Sequence, residues 1–292
     1  MLYSYFPGCT MSTTGIEYAK SLRFVNKAIG MRFADIKGWN CCGASAAHAV
    51  SRELGVALPA RNIALAEMQR PGVPIVVACA ACYSRMKCAE NAIHTDREKL
   101  RSLTGTNVSG DIPIVSILEA FSSVEVREAI ASAITRTLSG LKVACYYGCL
   151  FARPSGTSHM DDPEDPTSMD ELMALAGAEP VKWSFKTECC GGSHHIDLPA
   201  AAKPLSKNIF QNARANGAQA IVTACPMCMM NLDMREGEIN RAFSENFNMP
   251  VYYFTELLAL VMGANEKESG INRHFWPATK LISDSIAERG NL

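Results

Sequence analysis

Short apolar runs alternate along the chain with longer segments whose apolar residues recur at helical spacing. IPIVSILEAF (112–121) and MPVYYFTELL (249–258) each predict a strand that leads directly into a helix. Four further runs have the apolar character of strands: LYSYF (2–6), PIVV (74–77), LKVACYY (141–147) and AIVT (220–223). Because strands that alternate with helices form βαβ units, the pattern predicts an α/β protein with small parallel sheets flanked by helices.

The pattern occurs twice. YFPGC (5–9) corresponds to YYGC (146–149), and the apolar run before each C-x2-C corresponds as well. The predicted boundary lies near Gly140, which gives a first domain of 1–140 and a second of 141–292. No flexible linker separates them, so we expect a pseudo-symmetric pair. Residues 264–292 have no counterpart in the first half and form a C-terminal extension.

Composition excludes several functional classes. Apolar residues make up 48% of the 292 residues and charged residues 20%, as in a globular protein. The formal net charge is -1 and no basic block stands out, which argues against nucleic-acid binding. The N-terminus lacks the pattern of a secretory signal, and the apolar stretch 251–263 is too short for a transmembrane segment. We therefore expect a cytoplasmic protein.

Cysteine is the residue type that points to chemistry. In a reducing compartment, twelve cysteines favour metal binding or redox catalysis over a disulfide framework. Ten of them form two matched sets in the order C, CC, CxxC, namely Cys9, Cys41, Cys42, Cys79 and Cys82, then Cys149, Cys189, Cys190, Cys225 and Cys228. Gly43 and Gly191 follow the adjacent pairs and would allow a close backbone approach or a positive φ.

Three kinds of site use cysteines in such numbers. Structural zinc takes four ligands and would leave one cysteine of each set unused. Adjacent cysteines cannot form a disulfide without strain. Iron-sulfur clusters are typical users of C-x2-C thiolates, although an ordinary cubane also takes four. Five cysteines per half therefore indicate an unusual cluster, or a cubane beside a spare thiol.

The spacing C-x31-CC-x36-CxxC followed by C-x39-CC-x34-CxxC, with the flanking YFPGC, NCCG, ECCGG and CPMCMMNLD, resembles the duplicated cysteine-rich CCG domain of the heterodisulfide reductase B-subunit family. The resemblance implies two pseudo-symmetric CCG domains. It also implies that each half binds a noncubane 4Fe-4S cluster through its five cysteines, with one thiolate bridging two irons. The metal ligands would then be the ten cysteines of the two sets.

The same resemblance implies an enzymatic role within a disulfide oxidoreductase. The two clusters would face each other between the halves and reductively cleave a disulfide, of the coenzyme M/coenzyme B type or a related one, with one electron from each. The reverse reaction, oxidation of thiols or other sulfur compounds, is equally compatible with the sequence.

Electrons must come from elsewhere, because the chain has no G-x-G-x-x-G and no C-x2-C-x2-C-x3-C run. The resemblance implies two partners in a heterodisulfide reductase-type complex, one ferredoxin-like and one flavin-containing. The alternative is an electron-relay iron-sulfur component of a glycolate-, lactate- or succinate-type oxidoreductase, since CCG domains occur there too.

Other candidates rest on residue type and position. His194 and His195 follow the second CCGG and are candidate catalytic proton donors. Arg153, Lys186 and Lys203 lie near the cysteines of the second half and are candidates for binding an anionic thiol or disulfide substrate. Cys88 and Cys145 have no cysteine counterpart in the other half and are predicted to be packing residues.

Overall fold

A computed structural model of the protein describes residues 1–44, 46–153, 160–192, 194–276 and 278–288. In the first half four parallel strands form one sheet: β1 (Leu2–Phe6), β2 (Arg32–Asp35), β3 (Ile75–Val77) and β4 (Ile114–Ser116). The flanking helices are α1 (Ile16–Ala28), α2 (Ala47–Val50), α3 (Arg52–Gln69), α4 (Ala80–Thr95), α5 (Arg97–Thr104), α6 (Ile117–Ser122) and α7 (Val124–Ala133), and a strand β5 (Arg136–Leu138) follows.

The second half repeats this plan. Its sheet consists of β6 (Lys142–Tyr146), β7 (Glu179–Pro180), β8 (Ala220–Thr223) and β9 (Val251–Tyr253). Its helices are α8 (Cys149–Ala152), α9 (Ser168–Leu175), α10 (His194–Asp197), α11 (Pro199–Ala215), α12 (Pro226–Leu232), α13 (Glu236–Phe243), α14 (Phe254–Val261), α15 (Glu266–Ser269) and α16 (Thr279–Ser285), followed by the strand β10 (Ile286–Glu288).

The two sheets have the same topology, β2-β1-β3-β4 and β7-β6-β8-β9. The central strands β3 and β8 are fully buried and mostly apolar, as strands covered by helices on both faces require. The edge strands β2 and β7 are partly exposed. The predicted α/β fold class, two similar units with small parallel sheets flanked by helices, is confirmed.

The halves pack through helices that the repeat makes equivalent. Helix α1 contacts α14, and their counterparts α9 and α6 contact each other. The rings of Tyr18 and Tyr253 stack at 4.2 Å, and the hydroxyls of Ser21 and Thr255 are 2.7 Å apart in the buried interface. The contacts thus follow a pseudo-twofold relation between the two units.

The C-terminal extension returns to the first half. Its strand β10 pairs antiparallel with β5, which precedes the predicted boundary at Gly140. The division into 1–140 and 141–292 stays a prediction. Within the described ranges, no helix combines the length and apolar character that crossing a bilayer requires.

Candidate metal centres

The cysteine loops lie at the carboxyl ends of the two central strands of each sheet. Cys9 follows β1 and Cys79 follows β3, while Cys149 and Cys225 hold the same places after β6 and β8. Cys79 and Cys225 are the N-cap residues of α4 and α12, so the second cysteine of each C-x2-C falls in the first turn of a helix. Open α/β sheets bind their ligands at this edge.

Each adjacent pair is anchored by the long helix that follows it. In the first half Asn62 of α3 accepts a hydrogen bond from the backbone N–H of Asn40 and donates one to its carbonyl, both at 2.9 Å. In the second half Ser206 of α11 donates to the carbonyl of Cys190 at 2.8 Å. Although the anchoring residues differ, both loops are fixed through their backbone.

Glycines permit close contact at two equivalent positions. Gly43 and Gly191 have φ values of +74° and +93°, and a Cβ there would lie 2.5 Å and 2.8 Å from the Cβ atoms of Ala47 and Ala202. The predicted need for glycine after each adjacent pair is confirmed. Gly8 and Gly148 also have positive φ, and a Cβ would come within 3.2 Å and 3.1 Å of the sulfurs of Cys82 and Cys228.

Within each set the thiols are neighbours. Cys42 Sγ lies 3.1 Å from Cys82 Sγ, and Cys190 Sγ lies 3.8 Å from its counterpart Cys228. The backbone N–H groups of Gly43 and Gly191 each donate to the sulfur two residues earlier, at 3.4 Å. The equivalent contacts in the two halves show that the repeat extends to the arrangement of the sulfur atoms.

The two sets also meet each other. The thiols of Cys79 and Cys225, the first cysteines of the two C-x2-C motifs, lie close enough across the interface between the halves for each to shift the other's pKa, which is raised for Cys79 and lowered for Cys225. Both are buried, whereas Cys9 and Cys41 at the outer side of the first set are exposed. Groups bound by the two sets would therefore be adjacent, with the first more open to solvent.

Thiol–thiol contacts also dominate the electrostatics of the sets. The contact with Cys82 lowers the pKa of Cys42 to about 7, and the contact with Cys149 lowers the pKa of Cys189 to about 6. In both contacts the pKa of the partner thiol is raised, because its ionisation would place two negative charges side by side. A metal that binds as a Lewis acid would displace the remaining protons.

The donor set fits an iron-sulfur cluster better than a single ion. In the part of the chain that the structure describes, no three His, Cys, Asp or Glu side chains converge on one point as a mononuclear metal site requires. A cluster instead spreads its thiolates over several irons. In each half two cysteine loops and the start of the C-x2-C helix bring five thiols together, and glycines allow the backbone to approach closely. This arrangement suits a cluster of several irons. The assignment of the ten cysteines as ligands stays a prediction.

The three cations predicted to bind substrate all form ion pairs. The buried ammonium group of Lys186 contacts Asp165 at 2.8 Å and Asp170 at 3.2 Å. Arg153 is bonded to Glu188 at 2.9 Å, and Lys203 lies 3.9 Å from Glu238. Lys186 therefore holds the loop before Cys189 in place, and a substrate would have to compete for the other two.

The two candidate histidines differ in environment. His194 is exposed and lies 3.3 Å from Asp197. His195 is buried, with its Nε2 3.0 Å from the hydroxyl of Ser206 and 3.2 Å from the carbonyl of Cys190. Burial lowers the pKa of His195. His195 therefore supports the loop that carries Cys190. A proton-donor role for either histidine stays a prediction.

The two remaining cysteines lie apart from the sets. Cys145 is buried in β6, where burial and the nearby Asp170 raise its pKa. Cys88 lies in α4, and its sulfur accepts a hydrogen bond from Arg85 at 3.5 Å. These positions agree with the predicted packing roles.

Sequence reasoning missed a charged cluster under the C-terminal extension. His274 lies between two buried carboxylates, 3.0 Å from Glu256 and 3.7 Å from Asp233. The backbone N–H of Phe275 also donates to Asp233, at 3.0 Å. Since 264–292 has no counterpart in the first half, the repeat carried no signal for this cluster.

A cavity of about 340 Å³ lies between the halves above this cluster. One wall comes from Thr13 and Thr14, in the turn after Cys9, and the other from Met229, Met230 and Met234, after Cys228. Arg273, His274 and Phe275 of the extension also line the cavity. The cavity therefore borders a cysteine loop of each half.

Comparison with known proteins agrees with the repeat. The family model described as CCG, cysteine-rich domain, matches residues 3–87 and again 143–233. The chain is 30% identical to the membrane anchor subunit of the 8-methylmenaquinol:fumarate reductase of Wolinella succinogenes, over 96% of this chain and 98% of that protein. It is 29% identical to the B subunit of the ferredoxin/F(420)H(2)-dependent CoB-CoM heterodisulfide reductase of Methanosarcina acetivorans, over 93% of this chain and 92% of the relative.

A protein of Archaeoglobus profundus named as similar to the heterodisulfide reductase B subunit is also 29% identical, over 92% of this chain and 93% of its own length. Among solved structures, a hypothetical protein from Helicobacter pylori superimposes with a TM-score of 0.73 at 13% identity, which shows a shared fold. The match covers 96% of this chain and 52% of that one, so this chain spans about half of the solved protein. From the duplicated match and these full-length relatives, the chain belongs to the CCG cysteine-rich domain family and carries the domain twice.

Proposed function

We propose that the chain is the catalytic subunit of a heterodisulfide reductase-type complex and that it binds two noncubane 4Fe-4S clusters, one through each set of five cysteines. The observation that carries the proposal is the proximity of Cys79 to Cys225, which brings two complete sets of cysteines to one interface. A protein that only relays electrons could manage with one such site, so two complete sets favour catalysis.

The reaction is the reduction of a disulfide R–S–S–R′ by two electrons and two protons to the thiols RSH and R′SH, or its reverse. When bound by the two sets of cysteines, the clusters would supply the electrons, one from each, and a ferredoxin-like partner would deliver them from a flavin-containing partner. The chain's own residues bind the substrate and hold it at the interface of the halves.

The cavity between the halves is the proposed route for the substrate. Its methionine wall offers polarisable apolar contacts that suit a sulfur-containing chain, and the guanidinium of Arg273 is half exposed at its rim. An anionic group on the substrate would pair with Arg273, which is held only weakly by Glu17 at 3.8 Å.

The fumarate reductase relative from Wolinella succinogenes supports a second candidate function, because it is similar over nearly the whole chain. In that case the protein passes electrons between a quinol and another protein of its complex and cleaves no disulfide. The two functions share the clusters and differ in the substrate.

A turnover assay separates the two functions. The protein, purified without oxygen, is supplied with a reduced viologen dye and a small anionic disulfide, and thiol release is measured. We expect thiol release at two thiols per two electrons consumed and no oxidation of NADH by the chain alone. Retained clusters without thiol release, combined with dye oxidation by a menaquinone analogue, would favour the electron-relay function.

A further inference from the structure

Asn231 lies one helical turn after Cys228 in α12 and is completely buried. Its Nδ2 donates a hydrogen bond to the carbonyl of Gly192 at 2.6 Å. The same nitrogen lies 3.4 Å from the sulfur of Cys190, one of the adjacent pair in the second set. The amide therefore links the C-x2-C helix to the CCG loop and reaches a sulfur atom.

The orientation of this amide follows from its partners. The carbonyl of Gly192 can only accept, so the NH2 group of Asn231, with its two N–H donors, must face it. With one donor used by Gly192, the other is available to Cys190, and a metal-bound thiolate is likewise only an acceptor. An amide turned the other way would place Oδ1 of Asn231 against the carbonyl oxygen of Gly192.

A buried amide at this position is costly to the fold. Its Oδ1 has no hydrogen-bond partner among the described residues. An unsatisfied buried polar atom costs about 1–3 kcal/mol, so a leucine of similar volume would serve packing better. The hydrogen bonds that Nδ2 of Asn231 donates therefore explain an asparagine at this position, and packing does not.

The first half differs at the corresponding position. Arg85 follows Cys82 by three residues, as Asn231 follows Cys228. Its guanidinium donates to Cys88, which is outside the set of five, at 3.5 Å. The amide–sulfur contact is therefore a feature by which two otherwise similar sites differ.

We propose that Asn231 is a positioning residue that raises the reduction potential of the second cluster by donating a hydrogen bond to the sulfur of Cys190. The inference rests on the proposed binding of a cluster by the second set. Hydrogen bonds to ligand sulfurs are among the factors that set cluster potentials, because they stabilise the more negative, reduced state. The two sites would then accept electrons at different potentials.

The test uses matched variants of the full chain with clusters bound. Asn231→Leu removes both donors, Asn231→Asp removes them at constant shape and adds a negative charge, and Asn231→Gln keeps them. Ser206→Ala is the control, since Ser206 supports the same loop through the carbonyl of Cys190 without reaching a sulfur. The readouts are iron content and the midpoint potentials of the two clusters, from a redox titration followed by electron paramagnetic resonance.

We expect Asn231→Leu to lower one midpoint potential, Asn231→Asp to lower it further, and Asn231→Gln to restore it in part. The other cluster's potential and both potentials in Ser206→Ala should stay at their wild-type values. An unchanged potential in Asn231→Leu, or an equal shift in Ser206→Ala, would overturn the inference. So would loss of the second cluster's iron from Asn231→Asp, because Asn231 would then hold the cluster and not tune it. Wild-type protein without iron would instead refute the proposed function.

Discussion

His274 joins two buried carboxylates that belong to different helices. Asp233 is the C-cap residue of α12 and Glu256 lies in α14, with Glu17 of α1 and the neighbouring Arg273 as the other charges facing the group. Burial alone would lower the pKa of His274, but the charge of Glu256, the hydrogen bond to that carboxylate and the nearby charge of Asp233 outweigh it and raise the pKa to about 11. At neutral pH the residue is therefore an imidazolium that compensates two negative charges.

Replacing this cation should destabilise the fold. His274→Gln leaves Asp233 and Glu256 buried without a positive partner, a change that costs about 3 kcal/mol when one member of a buried pair is removed. The measurement is the free energy of unfolding from denaturant titration at pH 7. His48→Gln, at an exposed histidine, is the control and should have little effect.

The loss of stability caused by His274→Gln should become smaller as the pH rises. The pKa of His274 is higher in the folded protein than its ordinary value of 6.5, so its stabilisation is complete below about pH 6.5 and is lost as the pH rises towards 11. The difference between wild type and His274→Gln should therefore shrink as the pH is raised above neutrality. A difference that grows with pH would contradict the assignment of a protonated His274.

The role of a single residue was predictable from the sequence where the same residue occupies the equivalent position in both halves. Gly43 and Gly191 follow each CC pair, and the close backbone approach expected there is present in both halves. Asn231 and His274 were missed. The residue that corresponds to Asn231 in the first half is Arg85, and His274 lies in the unrepeated extension. Comparison of the two halves therefore gave no signal for either residue.

At the scale of elements, the strand-to-helix junctions show why the repeat predicts structure well. Both α6 and α14 begin directly at the end of a strand, and in each a glutamate, Glu119 or Glu256, accepts a hydrogen bond from the N-cap backbone N–H. Such a capping arrangement fixes the start of a helix locally. IPIVSILEAF and MPVYYFTELL therefore fold as predicted from their own residues.

The pairing of β10 with β5 was not predictable in this way. Its residues Ile286–Glu288 and Arg136–Leu138 are far apart in the sequence and short, and only the tertiary fold brings them together. The same applies to Lys186, whose partners Asp165 and Asp170 come from the loop and helix before β7. Contacts between distant segments depend on packing that no local pattern encodes.

The contact between α1 and α14 should couple the stability of the two halves. Ser21 and Thr255 share a buried hydrogen bond, so Ser21→Ala or Thr255→Val leaves a buried hydroxyl without this partner at a cost of about 1 kcal/mol. The double variant removes both hydroxyls and should lose less than the sum of the singles. Unfolding free energies of the four proteins give the coupling energy, and strictly additive losses would contradict the contact.

For the whole molecule, the duplication predicts that each set of cysteines can lose its iron independently of the other set. Metal-binding free energy adds to folding free energy, so losing a ligand should weaken one site and its half of the fold. Cys228→Ala should lower the iron content of the second site while the first persists, and Cys82→Ala should have the mirror-image effect. Iron analysis combined with the paramagnetic resonance spectrum of each variant checks this expectation.

Cys88→Ser and Cys145→Ala are the matched controls, because both cysteines lie outside the sets. Both variants should keep two clusters. If Cys145→Ala lost a cluster while Cys149→Ala did not, the assignment of ligands in the second half would be wrong.

The central claim is that two sets of five cysteines bind two iron-sulfur clusters at the interface of the halves. Its most direct test is the iron and acid-labile sulfide content of the chain purified without oxygen. The account predicts about eight irons and about eight sulfides per chain, as two clusters of four. Zinc as the dominant metal, with little acid-labile sulfide, would contradict it.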